Sequence, residues 1–339
     1  IAKLKKSLAE NPRPVLLEFK TFRMRGHEEA SGTKYVPQKL MDEWAVKDPV
    51  ENFKEYLLNI AAINTEDIAA FESEIKAEIE DHWAKTIAEP DAVADLSEEL
   101  DDLYQDYTYQ EVTPKENKEN IRFIDAISSA LKQSMEKHDN LVIMGQDIAE
   151  YGGAFKITDG FVAAFGKERV RNTPICESAV VSAANGLSIN GFKAIMEMQF
   201  ADFVSTGFNP IVNLLAKQHY RWNEKADVVL RMPCGGGTQA GPFHSQTNEA
   251  WFTKTPGLKV VYPAFPYDAK GLLTEAINDP NPVLFFEHKQ LYRSMNQDVP
   301  TDYYTLPLGK ASVLREGEQL TVISFGAAVH WALETLDNN

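Results

Sequence analysis

The sequence predicts an α/β protein whose parallel sheet carries helices on both faces, preceded by a helical segment and followed by the opening of a further α/β domain. Beyond Asn120, short apolar strands alternate with helical or Gly-containing stretches, the pattern of a parallel sheet. Upstream, apolar residues recur every three or four positions over 68–83. Between the two, Thr86 to Pro114 contains no Lys or Arg while Asp and Glu accumulate. At 339 residues, with 44% hydrophobic and 10% aromatic content, the chain is long enough for more than one domain.

Pro14 to Phe22 is short, apolar and flanked by Pro, and reads as a buried strand. Asp48-Pro49-Val50-Glu51 supplies the acceptor, the fixed φ and the carboxylate of a helix start, so a helix is expected from Pro49 through Leu58. A second helix begins near Thr65. Its Ile68, Phe71, Ile75, Ile79 and Trp83 share one face, which needs a partner surface. The acidic stretch that follows reads as a solvated tether. Strands are then expected at 141–144, 194–198, 228–232, 258–262, 283–287 and 320–325.

A formal charge of −16 repels phosphate backbones and anionic lipid, which argues against nucleic acid or membrane as the main partner. No run of 18 apolar residues exists. Cys176 and Cys234 form neither a disulfide framework nor a zinc motif, which fits a reducing cytoplasm, and no metal-ligating set is expected among the chain's own residues.

Four strings could carry chemistry. Thr173-Pro174-Ile175-Cys176-Glu177 precedes a helix of small residues and puts a carboxylate in its first turn; taken alone, that is an ordinary helix-dipole partner. Glu197 to Phe203, EMQFADF, runs from a strand end into polar and aromatic residues, where parallel sheets face their ligand crevice. Pro233 to Gln246 is a Gly-rich loop ending near His244; it is neither a P-loop nor a dinucleotide fingerprint. Phe22 to His27, FRMRGH, presents Arg23 and His27 after the first expected strand, as an anion site would; a lone loop histidine is otherwise usually only solvated.

In this order the strings resemble the thiamine-diphosphate-dependent decarboxylase component of 2-oxoacid dehydrogenase complexes. TFRMRGH, with Tyr35 beyond it, is similar to an alpha-subunit active-site loop. NTPICE, MEMQFADF, FHSQTNEAWF, TPGLKVVYP and FFEHKQLYR resemble branched-chain beta subunits most. The resemblance implies a thiamine-diphosphate-binding fold in an alpha/beta fusion. Residues 1–45 would end the alpha-type domain, 46–90 form a helical segment and 91–118 an acidic linker. Residues 119–307 would form the beta-type pyrimidine-binding domain, and 308–339 begin a transketolase C-terminal-like domain.

The implied reaction is decarboxylation of a small 2-oxo acid, of branched 3-methyl-2-oxobutanoate type, and acyl transfer to a lipoyl-bearing acyltransferase. Pyruvate and acetoin-type decarboxylases are the close rivals, and a non-catalytic assembly fragment is the alternative from another class. Carried over by position, Glu177 hydrogen-bonds the cofactor's aminopyrimidine ring, Phe203 stacks beside it and Gln199 lies near the substrate. Arg23 contributes to cofactor binding. His27 and His244 line the site and either shuttle protons or orient the acyl intermediate. The family also implies magnesium, a homo-oligomeric assembly and room for a structural monovalent cation. Two departures stand out. The Gly-Asp-Gly...Asn motif for magnesium and diphosphate is absent from these residues and is expected upstream, and Glu28 occupies the place of the serine through which mitochondrial relatives are silenced.

Overall fold

The computed structural model describes residues 1–28 and 30–338 and divides into two units, Ile1–Val93 and Ala94–Asn339. The N-terminal unit contains helices α1 (Ala2–Glu10), α2 (Gln38–Ala45), α3 (Pro49–Asn59) and α4 (Thr65–Ala88). The start of α3 forms for the anticipated reason: the Asp48 carboxylate accepts from Val50 N and Glu51 N at 2.9 and 3.1 Å, with Pro49 in the first turn. At α4, Asn64 and Asp67 cap one another's backbone in a capping box. The apolar stripe Phe71, Ile75, Ile79 and Trp83 is exposed along α4.

The strand expected over Pro14 to Phe22 does not form, and Leu16 is 94% exposed. A strand exists only through ladder bonds to a neighbour, and among the described residues no segment pairs with this one. The same correction applies to 320–325, which is coil with Ile323 90% exposed, although the helix after it forms.

The second unit opens with α5 (Leu96–Asp101), inside the stretch expected to be a solvated tether. Beyond it the chain is strapped down. Tyr104 OH donates to Leu258 O, Gln105 exchanges hydrogen bonds with the Asn281 amide, Tyr109 OH donates to Thr305 O and Val112 N donates to Thr305 Oγ1. Strand β1 (Lys118–Arg122) leads into α6 (Phe123–Lys137), β2 (Leu141–Gly145), α7 (Phe161–Phe165), β3 (Val170–Asn172), α8 (Glu177–Ile189) and β4 (Lys193–Glu197). Then come α9 (Phe208–Asn213), α10 (Gln218–Trp222), β5 (Val228–Cys234), β6 (Lys259–Val261), α11 (Pro266–Asn278), β7 (Val283–His288), α12 (Leu291–Ser294), β8 (Asn296–Pro300) and α13 (Ala327–Asp337).

Six strands form a parallel sheet in the order β3-β2-β4-β5-β7-β6, while β1 and β8 pair antiparallel apart from it. Side chains alternate across the sheet: Ile143, Ile195, Val229 and Phe285 join one apolar core with α6 and α11, whereas Met144, Met196, Leu230 and Phe286 join another with α8. Both faces are therefore covered, and the C-terminal ends of the strands are left as the place for polar side chains. Among the described residues no helix is long and apolar enough to cross a membrane.

Candidate active site

Four strand ends of the second unit supply one cluster. After β2 comes Gln146, after β4 come Gln199 to Phe203, after β5 comes the Gly-rich loop, and after β7 come Lys289 and Gln290. Glu177 is the first residue of α8, where the positive end of the helix dipole favours its charge. It is 8% exposed and accepts at both oxygens, from Gln146 Nε2 at 3.1 Å and from Thr206 Oγ1 at 3.0 Å. Each carboxylate oxygen keeps a second lone pair, so a ring N–H or amine of a bound heterocycle can still be accepted.

Thr206 connects this carboxylate to the aromatic part of the cluster, because its hydroxyl also lies 2.8 Å from Phe203 O. The Phe203 ring stands edge-on to His244 at 5.6 Å, and Phe200 to His244 at 4.8 Å, with Phe200 and Phe203 5.9 Å apart. The structure thus joins Glu177, Phe203 and His244 through one chain of contacts, and half-buried Gln199 precedes Phe200 at the same strand end. Arg23 and His27 lie in the N-terminal unit and are exposed; there the Arg23 guanidinium donates to His27 O at 3.4 Å. Gly26 between them is sterically required, since a Cβ would meet Ser31 O at 2.1 Å.

The sequence reading missed several residues. Gln146 and Thr206, the partners of Glu177, carry no motif; only the strand-end position of Gln146 could have flagged it. Asp202 and Lys289 are buried charges at the feet of the Gly-rich loop. Burial pushes the Lys289 ammonium below its ordinary value, against the attraction of Cys234 and Asp202, and its Nζ sits 5.4 Å over the Phe200 ring. Gly235, with φ +78°, admits no side chain because a Cβ would stand 2.2 Å from His288 Nε2.

Beneath the cluster, Arg231 is fully buried between two carboxylates. It donates to Glu197 at 2.5 Å and to Glu287 at 2.8 and 2.7 Å, and Tyr292 OH donates to Glu287 at 2.6 Å. Burial and the nearby Glu287 push the Glu197 carboxyl upward although Arg231 opposes them. Among the described residues no group of three or more His, Cys, Asp or Glu is placed to hold a metal ion.

The arrangement offers a buried hydrogen-bond-accepting carboxylate, aromatic walls and an imidazole, which suits an uncharged heteroaromatic ring better than a phosphate. The family model for the transketolase pyrimidine binding domain matches residues 119–295, and that for the dehydrogenase E1 component matches residues 3–94. The 2-oxoisovalerate dehydrogenase subunit beta of Bacillus subtilis is 47% identical over 219 residues, covering 64% of this chain and 67% of that protein. The pyruvate dehydrogenase E1 component subunit beta of Acholeplasma laidlawii is 45% identical over 211 residues, 62% of this chain and 64% of its own. Among solved structures, a "split gene transketolase, inactive beta4 tetramer" aligns with TM-score 0.48 and 21% identity over 64% of this chain and 67% of that one. The chain spans about two thirds of the length of these relatives.

Proposed function

Because this chain belongs to the family of transketolase pyrimidine-binding domains, we propose that it forms part of a thiamine-diphosphate-dependent decarboxylase of 2-oxo acids, the first component of a 2-oxoacid dehydrogenase complex. The observation that carries this is Glu177, a nearly buried carboxylate in the first turn of α8, bonded by two neutral donors and joined through Thr206 to the aromatic cluster. Thiamine diphosphate, when bound, supplies the electron sink for loss of carbon dioxide. Glu177 accepts a hydrogen bond from the pyrimidine ring and holds or returns a proton there. Phe203 and Phe200 give that ring an apolar wall and exclude water, and Gln199 offers an amide to the 2-oxo acid. His244 moves a proton or orients the acyl group for its transfer to a lipoyl group on an acyltransferase partner.

On this reading the E1-like residues 3–94 and the pyrimidine-binding residues 119–295 form an alpha/beta fusion, in which Arg23 and His27 belong to the alpha-type loop and bind the cofactor and move protons there. Magnesium accompanies the diphosphate, whose motif these residues do not contain, and a homo-oligomer completes the sites. The branched substrate is favoured by the resemblance of NTPICE and MEMQFADF, with pyruvate as the alternative, since the two kinds of relative differ by only two percentage points in identity.

The test is dye-coupled decarboxylation with thiamine diphosphate and magnesium, comparing branched 2-oxo acids with pyruvate and Glu177→Gln with the parent. Cofactor-dependent turnover that collapses in the variant supports the reading. A variant that stays fully active removes Glu177 from it, and the absence of any turnover leaves an assembly module in its place.

A further inference from the structure

The Gly-rich segment carrying His244 has no regular ladder of its own. Gly237, Gln239 and Gly241 all have positive φ, so the backbone turns repeatedly between two fixed feet. At the first foot, buried Lys289 donates to Gly235 O at 2.6 Å, and Gly235 N donates to Gln246 O at 2.9 Å, which closes the loop at its base. At the second foot, Asp202 Oδ1 accepts from both Ser245 N and Gln246 N at 3.1 Å. These are the two residues that follow His244. Beside this tie, Asn248 Nδ2 donates to Ala201 O at 2.8 Å. Asp202 is 7% exposed, immediately precedes Phe203, and its Oδ2 is buried without a hydrogen-bond partner among the described residues.

A carboxylate spent on two backbone donors, with one oxygen left over, is an expensive way to fix a loop unless the loop must stand in one place. We propose that Asp202, with Lys289 at the opposite foot, is a positioning residue that sets where the His244 imidazole stands against Phe200 and Phe203. This rests on His244 being part of the site. Asp202 touches no reacting atom: it acts through the backbone of Ser245 and Gln246, and the short tether from there to His244 converts loop position into imidazole position. Small displacements of a proton-handling group lower turnover steeply and ground-state binding little.

The experiment is NMR of the protein labelled in its histidines, with the His244 signal assigned by His244→Gln. The two phenyl rings at 4.8 and 5.6 Å displace that signal from the position of a solvated histidine. In Asp202→Ala it moves to the solvated position while the other six histidines stay, and kcat falls about tenfold with KM for the oxo acid changed less than about twofold. Asp202→Asn keeps an oxygen for the same two donors and retains both the signal and the turnover. A His244 signal unmoved in Asp202→Ala, or an Asn variant that behaves like the Ala variant, overturns the proposal. Should Asp202→Ala fail to fold, Lys289→Met unties the other foot and is judged by the same signal. The signal moves or stays whether or not any oxo acid is turned over, so failure of the decarboxylase reading is told apart from failure of this one.

Discussion

Replacing Arg231 with methionine should destabilise the second unit by about 3–5 kcal/mol at neutral pH, the usual cost of stranding a buried charge. Arg231 supplies three donors, at 2.5, 2.7 and 2.8 Å, to Glu197 and Glu287. Methionine fills most of the volume and supplies none, leaving Tyr292 OH as the donor that still reaches Glu287. The Glu197 carboxyl, no longer opposed by Arg231, then gains affinity for protons in the fold, in the direction burial already drives it. The folded variant therefore binds more protons than the unfolded chain above the ordinary carboxylate range, so its stability rises as pH falls. At about 2–4 °C per kcal/mol for a unit of this size, the midpoint should drop by roughly 6–20 °C near neutrality and by clearly less in mild acid. Calorimetry near pH 8 and near pH 5.5 measures this. Adding Glu197→Gln and Glu287→Gln to Arg231→Met should recover much of the loss, because no charge is then stranded. A loss below about 1 kcal/mol, an equal loss at both pH values, or a triple variant no better than the single one would show that packing rather than charge sets the stability here.

Lys270 is buried under Tyr304, and burial pulls its ammonium from 10.5 down to about 8. Below pH 8 it is charged in both states; between there and 10.5 the unfolded chain holds the extra proton, so stability rises with pH. Lys270→Met should flatten that slope by about 1–3 kcal/mol across the window, allowing for screening, as urea titrations at successive pH values would show. Gly235→Ala should cost about 2 kcal/mol or more, because φ +78° and the His288 ring both oppose a Cβ, and unchanged thermal stability would contradict that clash. Of the two thiols, Cys234 is buried, bonded to Tyr262 and pushed up to about 12 by burial, while Cys176 is partly exposed. A maleimide should therefore label Cys176 quickly and Cys234 only after unfolding; two fast labels in the native protein would refute this.

The strands legible in the sequence were those whose own side chains demand burial on both faces, such as Leu141 to Met144 and Val228 to Met232. The invisible ones were made by pairing: Lys118–Arg122 and Asn296–Pro300 are polar runs that become strands by bonding to one another. The reverse error, at Pro14 to Phe22 and 320–325, has the same cause, because an apolar run states an appetite for burial without naming a partner. In the candidate site, the strings holding Glu177, Gln199, Phe203 and His244 stood out because they resemble a family's. Gln146, Thr206, Asp202 and Lys289 did not, since each acts on a residue far away in sequence, and spacing along the chain carries no record of that.

The acidic arm has a consequence for how the protein is made. Tyr104 and Tyr109 fasten to Leu258 and Thr305, and Asn120 meets Asp298 across 178 residues. On a translating ribosome these early segments emerge long before their partners exist. At about 5–20 residues per second the wait is roughly 10–40 s. Throughout that interval the arm's lack of Lys and Arg keeps it solvated and self-repelling while the half-built sheet beside it exposes apolar strands. Tyr109 can close on Thr305 only after β8 has been synthesised, a clasp that waits for the last of the strands.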